Sequence, residues 1–167
     1  GIVSAQANGA IFGFDGLGNP FLFTQLIGFC IFMIAVQAEL GQTPFDMPIA
    51  ESELVTGYIT EYSGLRFLLF FIGEFASAGA FAAVAATLFL GGWAVPSAWA
   101  DLDSAWFNLL GPLIMLTKMM LLGGLIFFVR FTFPRFREDQ LQRLAWTVLI
   151  PISLANILVT TILKVAF

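Results

Sequence analysis

Four apolar stretches, each near the length needed to cross a lipid bilayer, constrain this chain more than any motif in it. They cover residues 20–38, 65–90, 109–131 and 144–167. A hydrocarbon core of about 30 Å asks for roughly 20 mostly apolar residues. With no water there to satisfy backbone N–H and C=O groups, such segments must be helical. Composition agrees, because 59% of the residues are hydrophobic and 11% charged, too few polar groups to clothe a water-facing surface. The expected fold is therefore all-α: a polytopic membrane protein in which residues 1–167 form a single membrane domain of four transmembrane helices with one long acidic loop. The glycine-rich first 19 residues lack an apolar run and read as an aqueous or interfacial connector. Gly1 stands where an initiator methionine would, and no charged segment leads into a short apolar one. No signal peptide is expected, and the chain reads as a fragment or processed piece.

The linkers differ in charge, and that difference orients the helices. Residues 131–143 carry Arg135, Arg137 and Arg143, with Arg130 ending the helix before them, and an excess of basic residues marks the cytoplasmic side. Residues 91–108 carry Trp93, Trp99 and Trp106 beside Asp101 and Asp103 with no basic residue, as an outside loop at an aromatic belt would. Alternation then puts residues 39–64 on the cytoplasmic side and both termini outside. That loop departs from the usual basic character, since it holds Glu39, Asp46, Glu51, Glu53 and Glu61 with Arg66 as the only basic neighbour. A solvated loop is the plain reading. Against it, the acids alternate with Phe45, Met47, Leu54, Val55 and Tyr58, and Pro48 is placed to open a short amphipathic helix over residues 49–57 at headgroup level.

Two charges, Glu74 and Lys118, fall well inside predicted spans, where insertion costs roughly 2.5 to 3.5 kcal/mol each. Counted from Arg66, Glu74 lies about 12 Å deep, and Lys118 lies about 18 Å from Arg130 at 1.5 Å per residue. The two are expected to meet near the midplane, either as a buried ion pair that fixes packing or as protonatable steps in a proton path. The alanines and glycine over residues 76–86 let neighbouring helices approach closely. Cys30 is the single cysteine and there is no histidine, so disulfides, haem ligation and His/Cys metal sites are not expected within the chain. The net charge of −4 and the lack of a basic patch argue against nucleic acid as a partner.

The segment Glu39-Leu40-Gly41-Gln42-Thr43-Pro44-Phe45-Asp46-Met47-Pro48-Ile49-Ala50-Glu51-Ser52-Glu53-Leu54-Val55 resembles the signature loop of the H subunit of respiratory complex I, the proton-pumping NADH:quinone oxidoreductase. Thr60-Glu61-Tyr62-Ser63-Gly64 continues the match, and Leu88-Phe89-Leu90-Gly91-Gly92-Trp93, Thr117-Lys118 and Pro134-Arg135-Phe136-Arg137 follow in the family's order. The resemblance implies an eight-helix subunit of which this chain holds the last four spans. It implies a place in a bacterial or archaeal cytoplasmic membrane, or an organellar inner membrane, among other membrane-arm subunits and the soluble iron–sulfur subunits. Quinone would bind as substrate, while iron–sulfur clusters and flavin would belong to the partner subunits. On the same basis Glu39, Asp46, Glu51, Glu53 and Glu61 would line the quinone chamber and coupling path. Glu74 and Lys118 would continue it as an intramembrane proton path, and Arg66, Arg130, Arg135 and Arg137 would face the soluble arm.

The alternative is the membrane subunit of a hydrogenase-type ion pump with no quinone bound, and the Pro44-Phe45-Asp46 and Glu51-Ser52-Glu53 pattern resembles the quinone-linked branch instead. The chain departs from the family in having Gly41-Gln42 where Asn-Arg is usual, and Ile49 where a Glu is usual. Loss of a cation and an anion together suggests that the two family residues interact.

Overall fold

The computed structural model describes residues 1–8, 20–46, 57–94 and 105–166. Described residues run through α1 (Ile2–Asn8), α2 (Phe21–Thr24), α3 (Leu26–Glu39), a 3-10 turn (Gly57–Ile59), α4 (Leu65–Phe89), α5 (Ala105–Thr132), α6 (Glu138–Leu144), a π turn (Ala145–Leu149) and α7 (Ile150–Ala166). Three segments are long and apolar enough to cross a membrane: Leu65–Phe89, Leu110–Thr132 and Glu138–Ile162. They match the second, third and fourth predicted spans. The short amphipathic helix expected over 49–57 lies almost wholly outside the described residues.

The first predicted span is not one rod. Gln25 leaves helical geometry at φ −124 and ψ 38 and separates α2 from α3, whose 14 residues reach only about 21 Å. A polar side chain inside the apolar run explains the break, because Gln25 Oε1 accepts a hydrogen bond from Asn156 Nδ2 of α7 at 3.2 Å. Gly28 makes room for this pair, since a Cβ there would lie 3.2 Å from Gln25 Oε1 and 3.3 Å from Asn156 Nδ2. Interhelical amide bonds of this kind hold helices together where apolar burial gives no net drive.

α6 continues through the π turn into α7. Pro151 lacks the N–H that would reach the Thr147 carbonyl, and the helix widens in the turn before it. Thr147 Oγ1 donates instead to the Arg143 carbonyl, a back-bond that bends helices.

The core lies where α3, α4 and α5 meet. Met33 and Val36 pack on Ala82, Ala85 and Ala86, and these on Leu122 and Ile126. Ala78, Ala82, Ala85 and Ala86 are 1% exposed or less and fall on one face of α4, so the expectation of close helix approach is met at residue level. Gln37 adds a polar tie, donating from Nε2 to the Ile126 carbonyl at 2.9 Å. Outward faces of α4 and α7 keep large apolar side chains exposed, among them Leu69, Ile72, Leu154 and Leu158, as surfaces made for lipid or further protein do.

Candidate functional site

Gly41 turns the chain sharply out of α3 at φ 58, and a cis Thr43–Pro44 bond follows. The Phe45 N–H closes this turn on the Gln42 carbonyl at 2.8 Å, and the Phe136 N–H donates to the Pro44 carbonyl at 3.0 Å. The Phe45 and Phe136 rings meet at 5.8 Å. The start of the acidic loop is thus pinned against the Arg-rich loop, at the end of the bundle where α4 begins and α5 finishes. Gln42, 2% exposed, is carried inward by this turn.

Glu74 is its target. Gln42 Nε2 donates to Glu74 Oε1 at 3.1 Å, and Arg130 Nη1 approaches the same oxygen at 3.3 Å. The pair is only partly shielded, with side chains 33% and 23% exposed for Arg130 and Glu74. Phe75 and Phe127 stack beside it at 5.5 Å. Glu74 and Glu39 both line one cavity of about 340 Å³, together with Ser77 and the rings of Phe70, Phe71 and Phe81. Two carboxylates and a hydroxyl thus face walls that are otherwise apolar, three phenylalanine rings with Leu40, Ile59 and Leu69. Such a site can hold a ring-bearing apolar molecule or a short water chain next to groups able to take up protons.

Lys118 does not meet Glu74, against the sequence expectation. Its Nζ donates to the carbonyls of Leu90, Gly92 and Ala94 at 2.7, 2.9 and 2.9 Å, all just past the far end of α4. The depth count failed because it took Arg130 as a surface marker, whereas Arg130 lies level with Glu74. Lys118, twelve residues earlier on α5, then falls about 18 Å further along. Gln6 caps the same end, donating from Nε2 to the carbonyls of Thr87 and Leu88 at 3.1 and 2.9 Å. These carbonyls are the ones a helix C-terminus leaves without intrahelical partners.

The other predicted residues divide. Glu39 joins Glu74 at the cavity, while Asp46 lies one turn of chain beyond Gln42, with Oδ1 buried and without a hydrogen-bond partner. Glu61 is exposed beyond the 3-10 turn, and Arg66 is exposed in the first turn of α4. Glu51, Glu53 and Ile49 lie outside the described residues. Arg130 is engaged with Glu74. Arg135 is half-buried, and Arg137 is exposed, 3.8 Å from Asp139. Among the described residues no cluster of His, Cys, Asp or Glu could hold a metal ion. The sequence reading missed Gln42 as the partner of Glu74, and Gln6 and Gln25 altogether. The available signal was an amide side chain set among apolar residues, which in a membrane must find a partner.

The sequence profile of the family described as NADH dehydrogenase matches residues 1–161. The chain belongs to the NADH dehydrogenase family. Among its relatives in that family, the second H-type subunit of the NADH-quinone oxidoreductase of Syntrophobacter fumaroxidans is 46% identical over 142 residues, covering 84% of this chain and 39% of that protein. The H-type subunit of the NADH-quinone oxidoreductase of Bacillus cytotoxicus is 46% identical over 149 residues, covering 88% and 42%. The first such H-type protein of Geobacter sulfurreducens is 42% identical over 164 residues, covering 96% and 41%. This chain therefore spans about two fifths of the length of these NADH dehydrogenase relatives, and the resemblance noted on the loop motif extends along nearly all of it.

Proposed function

We propose that this chain contributes the last four of eight spans to the H subunit of a proton-pumping NADH:quinone oxidoreductase. There it forms part of the quinone chamber and of the glutamate-rich path that couples quinone reduction to proton transfer. The observation that carries this reading is the cavity shared by Glu39 and Glu74, with Glu74 tied to Arg130 and Gln42. Reducing a quinone requires protons at a site screened from bulk water, and neighbouring carboxylates respond together to a change of charge nearby. Glu74 is suited to pass such a change on, because its partner Arg130 sits on a different helix and can release it as the local charge changes. Glu39, at the end of α3, joins Glu74 at the cavity, and Glu51, Glu53 and Glu61 of the acidic loop extend the path. Lys118, with all three of its donors engaged by carbonyls, serves as an anchor instead of a proton carrier.

The partners on this reading are the other membrane-arm subunits and the soluble iron–sulfur subunits, which hold the clusters and flavin. The setting is a bacterial cytoplasmic membrane, in keeping with the organisms of the relatives. A hydrogenase-type pump without quinone fits less well, since each of the three relatives carries a quinone oxidoreductase name.

In the complete complex, Glu74→Gln is expected to lower both quinone reduction and proton pumping by about an order of magnitude. NADH oxidation by a water-soluble artificial acceptor should be unchanged, and Glu74→Asp should keep part of both activities. Undiminished quinone reduction and pumping in the Gln variant would reduce Glu74 to a packing residue.

A further inference from the structure

The seam between α4 and α5 is built from small side chains where register matters most. Ala78, Ala82, Ala85 and Ala86 are all buried on α4, and Gly79 sits so close that a Cβ there would lie 3.3 Å from Met119 Cε of α5. Alanine faces allow close approach, but they offer shallow ridges and grooves. Polar contacts at single positions are a known means of selecting one register where packing alone does not.

Two such contacts span this seam, and both come from cations of α5. Arg130 holds Glu74 at 3.3 Å, and Lys118 holds the carbonyls of Leu90, Gly92 and Ala94. Along α4 the interval from Glu74 to Leu90 is about 24 Å, and along α5 that from Arg130 to Lys118 is about 18 Å. The difference, about 6 Å, is the reach of an extended lysine stem. A shift of α4 by one helical turn, about 5.4 Å, would break both contacts at once, taking the cation from the Glu74 carboxylate and the ammonium from three carbonyls.

We propose that Lys118 and Arg130 act as a two-point clamp that sets the axial register of α4 on α5, which makes Lys118 a positioning residue for Glu74 although the two never touch. The proposal rests on the reading of Glu74 as part of the coupling path. Lys118 delivers Glu74 to Arg130 and to the cavity it shares with Glu39, from roughly 18 Å away.

The test reads register directly, in the full-length subunit within its native membranes and with Cys30→Ala as background. Gly79→Cys is combined in turn with Met115→Cys, Met119→Cys and Gly123→Cys, and each pair is treated with a short thiol cross-linker. With Lys118 in place, the 79–119 pair should give the highest yield. Lys118→Met should move the preference toward 115 or 123, lowering the ratio of the 79–119 yield to its neighbours about fivefold, the size of a 1 kcal/mol bias. Lys118→Arg, which keeps a long cation, should preserve most of the original pattern. A role in stability alone would lower the unfolding temperature and leave the pattern untouched, and that result overturns the proposal. If Lys118→Met does not accumulate, Lys118→Gln, which retains two donors without the charge, is read in the same way with a smaller shift, and an unchanged pattern there is equally decisive. Cross-linking does not depend on pumping, so the clamp can fail while the Glu74→Gln activity result stands, or the reverse.

Discussion

Replacing Arg130 with Met is expected to destabilise the chain by about 2 kcal/mol, and adding Glu74→Gln to the same chain should restore most of that loss. The asymmetry follows from what each change leaves behind. Arg130→Met strands the Glu74 carboxylate between apolar helices with only the Gln42 amide as partner, and an uncompensated charge there costs more than the pair ever contributed. A fully buried pair broken on one side costs about 3 to 5 kcal/mol, but these side chains are 33% and 23% exposed, and water at that exposure screens part of the cost. Glu74→Gln removes the stranded charge and keeps an amide that can still meet Gln42. Unfolding of the purified protein with each single and the double substitution gives a double-mutant cycle, and a coupling well above about 0.5 kcal/mol marks a direct pair. Simple additivity of the two changes would show that Glu74 is held by something other than Arg130.

Much of this arrangement could be read before any coordinates, and the limits have physical causes. Long apolar runs announced the elements at 65–89, 110–132 and 138–162 because lipid leaves a backbone little choice. Glu74 announced itself by being a charge in such a run, and the spacing of acids drew attention to Glu39. What the linear sequence lacks is the relative height of two helices. Composition carries no measure of how far α5 is displaced against α4. The sequence therefore pairs Lys118 with Glu74 near the midplane, whereas Arg130 is the residue level with Glu74 and Lys118 reaches the carbonyls past the far end of α4. Gln25 shows the second limit. One amide in an apolar stretch is tolerated in many helices, and its effect here depends on Asn156, 131 residues later. Gln42 shows the third, since it stood out only as a departure from a family pattern. Its partner, Glu74, is 32 residues away in sequence and becomes its neighbour only once Gly41 and Pro44 have turned the chain inward.

Gly92→Val should cost about 3 kcal/mol, while Gly92→Asn should cost about 1. The position combines three demands. Its φ of 57 is left-handed, where an L residue loses about 1 to 2 kcal/mol and a β-branched one is a strong outlier. A Cβ there would sit 3.2 Å from Val3 Cγ2 and 3.6 Å from Thr87 Cγ2, so the docked α1 must give way. Its backbone also works on both sides, with the N–H donating to the Ala86 carbonyl at 2.9 Å and the carbonyl accepting from Lys118 at 2.9 Å. Asparagine tolerates the left-handed region and meets only the steric demand. Gly41 supplies the control, because its φ is 58 yet nothing lies within 4 Å of an added Cβ, so Gly41→Asn should change stability by no more than about 0.5 kcal/mol. Thermal unfolding of the purified variants checks the order. Equal losses for Gly92→Val and Gly92→Asn would mean that the strain at residue 92 is relieved by movement of the loop, and that the carbonyl cradle around Lys118 is less rigid than its three short bonds imply.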